Sequence, residues 1–310
     1  MIEKPIDVLH SFEIRKTKAQ KQAFVDAVTV YGQQCGYSVA VEQGKFGCRN
    51  LIFGDPDQAK ILLTAHYDTP ASIGFPNFIT PCNPFIFILW QIVILIPFFA
   101  VALLAGLLVS LATNNETLIF WVAYLAYFGM LALMMFGPAN RHNANDNTSG
   151  VVTLLETMAT MPEQLRSNVC FVLFDLEEVG LIGSASYRKA HKAATNKQWV
   201  FNLDCVSDGD RIVLFPNKKL KQDKTRLDQL EILTASCGKK SLTLRREGFA
   251  HCPSDQKHFP YGVGVMAFWQ HKVIGLYCNR IHTARDTRLD PTNVNILRAA
   301  LISFVGAADK

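Results

Sequence analysis

His66, Asp146, Glu178, Asp204 and His282 follow one another along this chain in the settings HYD, NDN, EE, NLD and IHT. Two neutral imidazoles and three carboxylates make up the nitrogen and oxygen donor set that a borderline divalent ion such as Zn²⁺ accepts, and a carboxylate can bridge two ions. A pair of ions held this way polarises a carbonyl oxygen, lowers the pKa of water and steadies a charged tetrahedral intermediate, which is hydrolytic chemistry. Glu177, beside Glu178, offers a further carboxylate as proton acceptor.

The elements that must position these groups are visible as short apolar runs. His66 follows ILLTA at 61–65, with Asp68 two residues on; Glu177 and Glu178 follow VCFVLF at 169–174; Asp204 closes WVFNL at 199–203. Such runs have the length and composition of buried parallel strands, and in open α/β sheets the carboxyl ends of the strands form the ligand crevice. The spacing predicts convergence, but adjacent glutamates point opposite ways along a continuing strand, so it does not separate base from ligand.

The segments TAHYDT at 64–69, NDNTSGVVTLLE at 145–156, FDLEEVGLIGS at 174–184, NLDCV at 202–206 and IHTARDT at 281–287, with SDQKHF at 254–259, resemble motifs of the two-zinc exopeptidases. That family includes bacterial leucyl aminopeptidases, glutamate carboxypeptidases and glutaminyl cyclases. Each motif alone is short, but five in family order over residues 61–287 make a specific pattern. The resemblance implies two divalent ions, zinc by family habit, with Asp146 bridging them. His66 and Asp204 would complete one site, Glu178 and His282 the other. It makes Glu177 the general base and Asp68 the carboxylate that fixes the tautomer and orientation of the His66 imidazole. Ser254 and Asp255 would line the substrate cleft. Asn145 stands where the family often has a second aspartate, which removes a charge but no ligand. The implied reaction is attack by activated water on a polarised carbonyl, with Glu177 taking the proton and returning it to the leaving amine. Glu177 then needs a pKa near neutrality, raised by burial and lowered by the cations.

Plainer readings exist for most of these residues. Asp146 with Asn147, Thr148 and Ser149 before VVTLLETM is also a helix N-cap, which can coexist with metal binding, and the two glutamates could open an acidic first helical turn. His10, His142, His191, His258 and His271 lack such partners and read as structural hydrogen bonders. Cys205 has no CxxC companion, and the eight cysteines show no tight repeated spacing, which suits a reducing compartment.

Between the first two motifs lie two uncharged stretches, residues 84–112 and 117–137, separated by the polar tip TNNET. Each is long enough to cross roughly 30 Å of hydrocarbon as a helix, and the pair predicts a transmembrane hairpin with Trp90, Trp121, Tyr124 and Tyr127 in interfacial or packing roles. Two buried core helices are the bland alternative. The expected plan is one discontinuous catalytic domain, 1–83 and 138–310, interrupted by a hairpin over 84–137. Its fold class is α/β, a mostly parallel mixed sheet flanked by helices. Lysines and arginines from Lys4 to Lys60 and Arg141 flank the hairpin, whereas its tip carries only Glu116, so the positive-inside tendency puts the catalytic domain on the cytoplasmic side of the inner membrane.

The function these expectations support is a membrane-anchored zinc aminopeptidase acting on peptides; the hairpin's point of insertion suits hydrophobic or membrane-associated substrates, and simple tethering accounts for it equally well. The alternatives are a glutaminyl cyclase, an amidase acting on N-acyl amino acids, or a receptor that has lost catalysis. The net charge of +5 is modest, and the basic stretch from Lys218 to Arg226 carries no interleaved aromatics, which excludes a nucleic-acid reading.

Overall fold

The computed structural model describes residues 2–74 and 77–308. The chain opens with α1 (Asp7–Ser11) and α2 (Lys18–Gln34), the latter started by a capping box in which the Thr17 hydroxyl and the Gln20 side chain each accept the other's backbone N–H. It ends just before Gly36, whose φ of +86° suits glycine. Strands β1 (Val39–Gln43) and β2 (Arg49–Phe53) form an antiparallel pair, and β3 (Ile61–His66) is wholly buried. Two long helices follow, α3 (Pro84–Ser110) and α4 (Glu116–Phe136), then α5 (Gly150–Thr160), β4 (Val169–Phe174), α6 (Ile182–Ala190) and α7 (Lys192–Thr195). The last part holds β5 (Trp199–Leu203), β6 (Arg211–Pro216), α8 (Lys218–Gln222), α9 (Lys224–Gln229), β7 (Ala235–Cys237), β8 (Lys240–Leu244), β9 (Gly262–His271), β10 (Gly275–Tyr277) and α10 (Pro291–Ala307). Asp290 caps α10 through the Thr292 N–H at 2.9 Å, with Pro291 in the first turn.

The strands form one mixed sheet in the order β1-β2-β4-β3-β5-β9-β6-β8-β7, with β10 on β9. The centre, β4-β3-β5-β9, is parallel, and most of the outer pairings are antiparallel. The three expected strands are therefore neighbours, with β3 in the middle and His66 level with Phe174. Both faces of these strands are covered, which explains their unbroken apolar composition. α2, α5 and α10 contribute Phe24, Leu154, Leu155 and Phe304 to the main core, while α6 places Tyr187 against Phe174 on the opposite face. The sheet thus has helices on both sides.

Two of these helices begin unusually close to strand ends. A Cβ at Gly150 would collide with the Leu203 carbonyl oxygen, and one at Gly183 with the carbonyl of Asp175. Only glycine lets α5 and α6 start against the ends of β5 and β4, where the site lies.

α3 and α4 stand apart from this packing. Each begins on an asparagine cap, Asn83 accepting from the Ile86 N–H and Asn115 from the Leu118 N–H, both at 3.1 Å. They pack on each other near Gly106, where an added Cβ would lie 3.4 Å from that of Ala123. Both are long and apolar enough to cross a membrane, and in their most apolar 18-residue windows only 17% of α3 and none of α4 is buried. Core helices of a soluble domain would have been covered, so that alternative does not describe them. Their roots are clasped together: Ala71 pairs with Ala139, and the N–H groups of Ser72 and Asn140 bond the carbonyls of Pro138 and Pro70 at 2.8 and 2.9 Å.

Candidate metal centre

At the carboxyl ends of the central strands the structure gathers all five expected donors. The donor atoms of His66, Asp146 and Asp204 lie within 4.8 Å of one another, and so do those of Asp146, Glu178 and His282. Asp146 belongs to both groups because its two oxygens face different ways: Oδ1 lies 3.3 Å from Nε2 of His66 and Oδ2 lies 3.0 Å from Nε2 of His282. Asp204 Oδ1 approaches Nε2 of His66 at 3.6 Å, and Glu178 Oε2 approaches Nε2 of His282 at 3.5 Å. The donor atoms of His66, Glu177 and Glu178 also lie within 4.8 Å of one another.

Several observations fit this cluster to cations. Glu178 Oε1 and Asp204 Oδ1 are buried without a hydrogen-bond partner, an expensive condition for carboxylate oxygens unless a metal satisfies them. Four carboxylates share the pocket with two imidazoles. Burial pushes the carboxyl groups of both Glu177 and Glu178 well above the usual range, and the neighbouring Asp204 and Asp146 push the same way. Neutral imidazole nitrogens beside carboxylate oxygens are the donors zinc accepts.

The backbone around these groups is held under strain. Leu176, Cys205 and His282 adopt left-handed conformations with φ of 55°, 54° and 59°, each at or next to a donor, at a cost of roughly 1–2 kcal/mol per residue. Asp68 compensates at one corner: its two oxygens accept the N–H groups of Glu177 and Glu178 at 3.0 and 3.2 Å, and Oδ1 lies 3.5 Å from Nδ1 of His66. One carboxylate thereby holds the turn carrying both glutamates and lies close to the ring of His66.

At the opposite corner Asp286 does the same for the loop of Asp146, accepting the N–H groups of Asn145 and Asp146 at 2.8 and 2.9 Å. Asn145, where the family often has aspartate, accepts the N–H groups of Ser207 and Asp208 at 2.8 and 2.9 Å and so braces the segment after Asp204. Arg15 lies fully buried beneath, its guanidinium on the carbonyls of Tyr67 and Phe12 and on the Thr148 hydroxyl; burial lowers its pKa to about 10, and the nearby Asp68 opposes that shift. Sequence reasoning missed Asp286 and Arg15. Asp286 stands in IHTARDT, four residues after His282, but a carboxylate that binds backbone N–H groups has no sequence signature of its own.

Other expectations meet mixed outcomes. Capping at this segment falls to Asn147, whose Oδ1 receives the Gly150 N–H at 3.1 Å, while the Asp146 side chain turns to the histidines. Glu177 and Glu178 open no helix; they sit in the turn before α6. Ser254 donates its hydroxyl to Glu177 Oε1 at 3.2 Å. Ser254 and Asp255 are both buried, and neither is among the residues that line the cleft. His191 bridges Glu42 and Asp57, and His258 bonds Ser184, as structural residues. All eight cysteines are free, and burial pushes the Cys205 thiol well up.

The cluster opens into a cavity of about 380 Å³. Asp146, Glu177, Glu178, Asp204 and His282 form its floor, and Phe87, Gln91 and Ile94 of α3 with Met134 and Met135 of α4 form part of its wall. A second cavity of about 530 Å³ lies on the far side of Glu178 and Met135, lined by Lys16, Phe46, Phe136, Val179 and Ile182 among others.

Residues 129–305, more than half of the chain, match Peptidase family M28. The chain belongs to this family. Among solved structures, the M28 chain is similar to the glutaminyl cyclase of Porphyromonas gingivalis, with TM-score 0.62, 16% identity and coverage of 98% of this chain and 96% of that one. It is also similar to a leucine aminopeptidase precursor from Bacteroides thetaiotaomicron VPI-5482 (TM-score 0.57, 13% identity, 97% and 94% covered). The LapA aminopeptidase of Legionella pneumophila gives TM-score 0.56 at 12% identity, covering 97% of this chain and 69% of that one. No curated protein sequence matches. At these identities the structural neighbours establish the M28 exopeptidase fold and leave the reaction to the site.

Proposed function

We propose that this M28 chain is a membrane-anchored, two-metal aminopeptidase. The observation that supports it most is the division of Asp146 between two donor groups, one oxygen toward His66 and Asp204 and the other toward His282 and Glu178. In this reading those five residues hold two divalent ions, zinc by donor type. When bound, the ions supply carbonyl polarisation and acidification of water.

The chain's own residues do the rest. Glu177, at the cavity floor and held by the Ser254 hydroxyl, takes a proton from the attacking water and passes it to the leaving amine. Asp68 fixes the His66 ring and the Glu177–Glu178 turn, and Asp286 fixes the loop of Asp146. The apolar wall from Phe87, Ile94 and Met134 excludes water and favours hydrophobic N-terminal residues.

The same reading divides the chain into a catalytic domain, 1–83 and 138–310, and a bilayer-spanning hairpin, 84–137, with the domain on the cytoplasmic side. The test is purified full-length protein with added zinc, given peptides with free or acetylated N-termini and peptides starting with glutamine, with products identified by mass. Stepwise shortening of free-amine peptides alone, reduced about 100- to 10,000-fold by Glu177→Gln, is the expected result. Loss of ammonia from the glutamine peptides without shortening would replace the aminopeptidase by a cyclase, and release of acyl groups would replace it by an amidase.

A further inference from the structure

The hairpin's base is ringed by exposed side chains that a water-facing surface does not explain. Outside α3, α4 and their connecting tip, the large apolar residues left in the open are Val30, Val41, Phe46, Ile232, Phe249 and Val273 among the described residues. Phe46 at 84% and Val273 at 81% are the most exposed of these. Three of the six stand on turns that touch the hairpin's base from different sides. Phe46, on the turn between β1 and β2, borders the 530 Å³ cavity together with Met135 and Phe136 of the last turn of α4. Val273 tops the turn between β9 and β10, where the Ile274 carbonyl accepts from the side chain of Asn83, the cap of α3, at 3.2 Å. Phe249 sits just before His251, whose N–H bonds the Pro81 carbonyl at 2.8 Å and whose ring lies 4.8 Å from that of Phe87 in the first turn of α3.

Each tip pairs its apolar side chain with nearby cations: Lys45 precedes Phe46, Lys272 precedes Val273, and Arg245 and Arg246 precede Phe249, with Glu247 as the opposing charge. Lys45 and Lys272 are exposed and carry no ion pair among the described residues; Arg246 is paired with Asp228 and Glu231. Lys16, beside Phe46 in the same cavity, directs its ammonium to the Met135 carbonyl at 3.5 Å. At Phe46 and Val273 an apolar tip beside an unpaired ammonium group has the chemistry of the boundary between phospholipid headgroups and acyl chains, where the ring or methyls enter the hydrocarbon and the cation stays at phosphate depth; Phe249 adds an apolar contact on the third side.

We propose that Phe46, Phe249 and Val273 form a three-point collar by which the catalytic domain rests on an anionic bilayer surface around the hairpin. The inference rests on the membrane reading of α3 and α4 given above. The collar holds the domain face-down, so the cavity walled by α3 and α4 opens at headgroup level instead of swinging free on the two root segments. Ile232 serves as the contrast: it borders a surface hollow with Trp199, the first residue of β5, at the end of the sheet opposite the donors.

The experiment places a benzophenone side chain, one position at a time, at residues 46, 249, 273, 232 and 121 of the full chain. The protein is reconstituted in phosphatidylcholine bilayers with or without phosphatidylglycerol, irradiated, and examined by mass spectrometry for lipid adducts. Adducts at 46, 249, 273 and 121, with none at 232, are expected. K45E together with K272E should lower the yield at 46 and 273 several-fold in the anionic bilayer and leave the yield at 121 unchanged. Adducts at 121 with any of the three tips unlabelled would overturn the collar and leave the hairpin's membrane reading standing. No adduct at 121 would remove the membrane reading and the collar with it, and labelling at 232 equal to the tips would reduce the collar to unspecific lipid contact.

Discussion

Asp286 shows how much of this site rests on a residue that carries no chemistry of its own. It holds the loop of Asp146 by two backbone hydrogen bonds, so Asp286→Asn, which turns an amide N–H toward one of those donors, should displace Asp146 without touching a donor group. The expected outcome is a roughly 10- to 100-fold weaker metal affinity with the fold kept, read by titration of the metal-free protein with zinc and by circular dichroism. The five candidate donors were legible in the sequence because their settings resemble the exopeptidase motifs in family order; the apolar runs alone placed only His66, the two glutamates and Asp204 at strand ends and did not separate base from ligand. Asp286, Arg15 and the bracing role of Asn145 were not, since each acts through backbone groups whose positions only the fold supplies. A second prediction concerns His191, whose ring lies 2.8 Å from Glu42 and 3.0 Å from Asp57. Those carboxylates raise its pKa against the opposing effect of burial. A histidine with a raised folded-state pKa contributes stability that is complete below its unfolded value of about 6.5 and is lost as pH rises through the folded value. The melting temperature of His191→Gln should therefore fall below that of the parent most at about pH 5.5 and converge on it as the pH is raised toward 9; a constant gap would sink the idea.

At the scale of elements, the apolar runs gave the three donor-bearing strands closely, and the Thr17 and Asp290 caps set the starts of α2 and α10. Periodicity could not give the order β4-β3-β5-β9, because neighbours in a sheet are chosen by long-range packing. The turn carrying Glu177 and Glu178 was also beyond it. Left-handed Leu176 turns the chain there, held by the Asp175 carboxylate on its own N–H and by the two bonds that Asp68 accepts from the glutamates that follow. α3 and α4 allow a direct contrast between two glycines on apolar helices. A side chain at Gly106 meets Ala123 and Ile119, whereas one at Gly129 meets nothing within 4 Å. Gly106→Leu should pry the helices apart at a cost of about 1–3 kcal/mol, and Gly129→Leu should cost almost nothing. Thermal unfolding of the two variants in the same detergent checks this, and equal melting temperatures would refute the packing seen at Gly106.

At the scale of the whole molecule, α3 and α4 stand apart from the sheet and its helices yet form part of the wall of the cavity. Replacing Gln91 with leucine, or Phe87 and Ile94 with alanine, changes that wall without altering a donor. The alanine pair should raise KM for peptides beginning with leucine or phenylalanine roughly tenfold and leave alanine peptides nearly unaffected, since a hydrophobic contact discriminates by only about 1–3 kcal/mol. Equal loss on both classes would show that the helices do not touch the substrate. The position of the hairpin has one more result, set by the direction in which a ribosome reads the message. Of the six groups proposed to bind metal or move protons, only His66 is made before the two helices; Asp146, Glu177, Glu178, Asp204 and His282 follow them. β1 and β2 can pair with each other at once, but both neighbours of β3 are synthesised after α4 has emerged. On the proposed membrane reading, a chain inserted during translation would carry an unfinished sheet and a single histidine of the six groups when its two helices met the lipid, and the full cluster would assemble only afterwards.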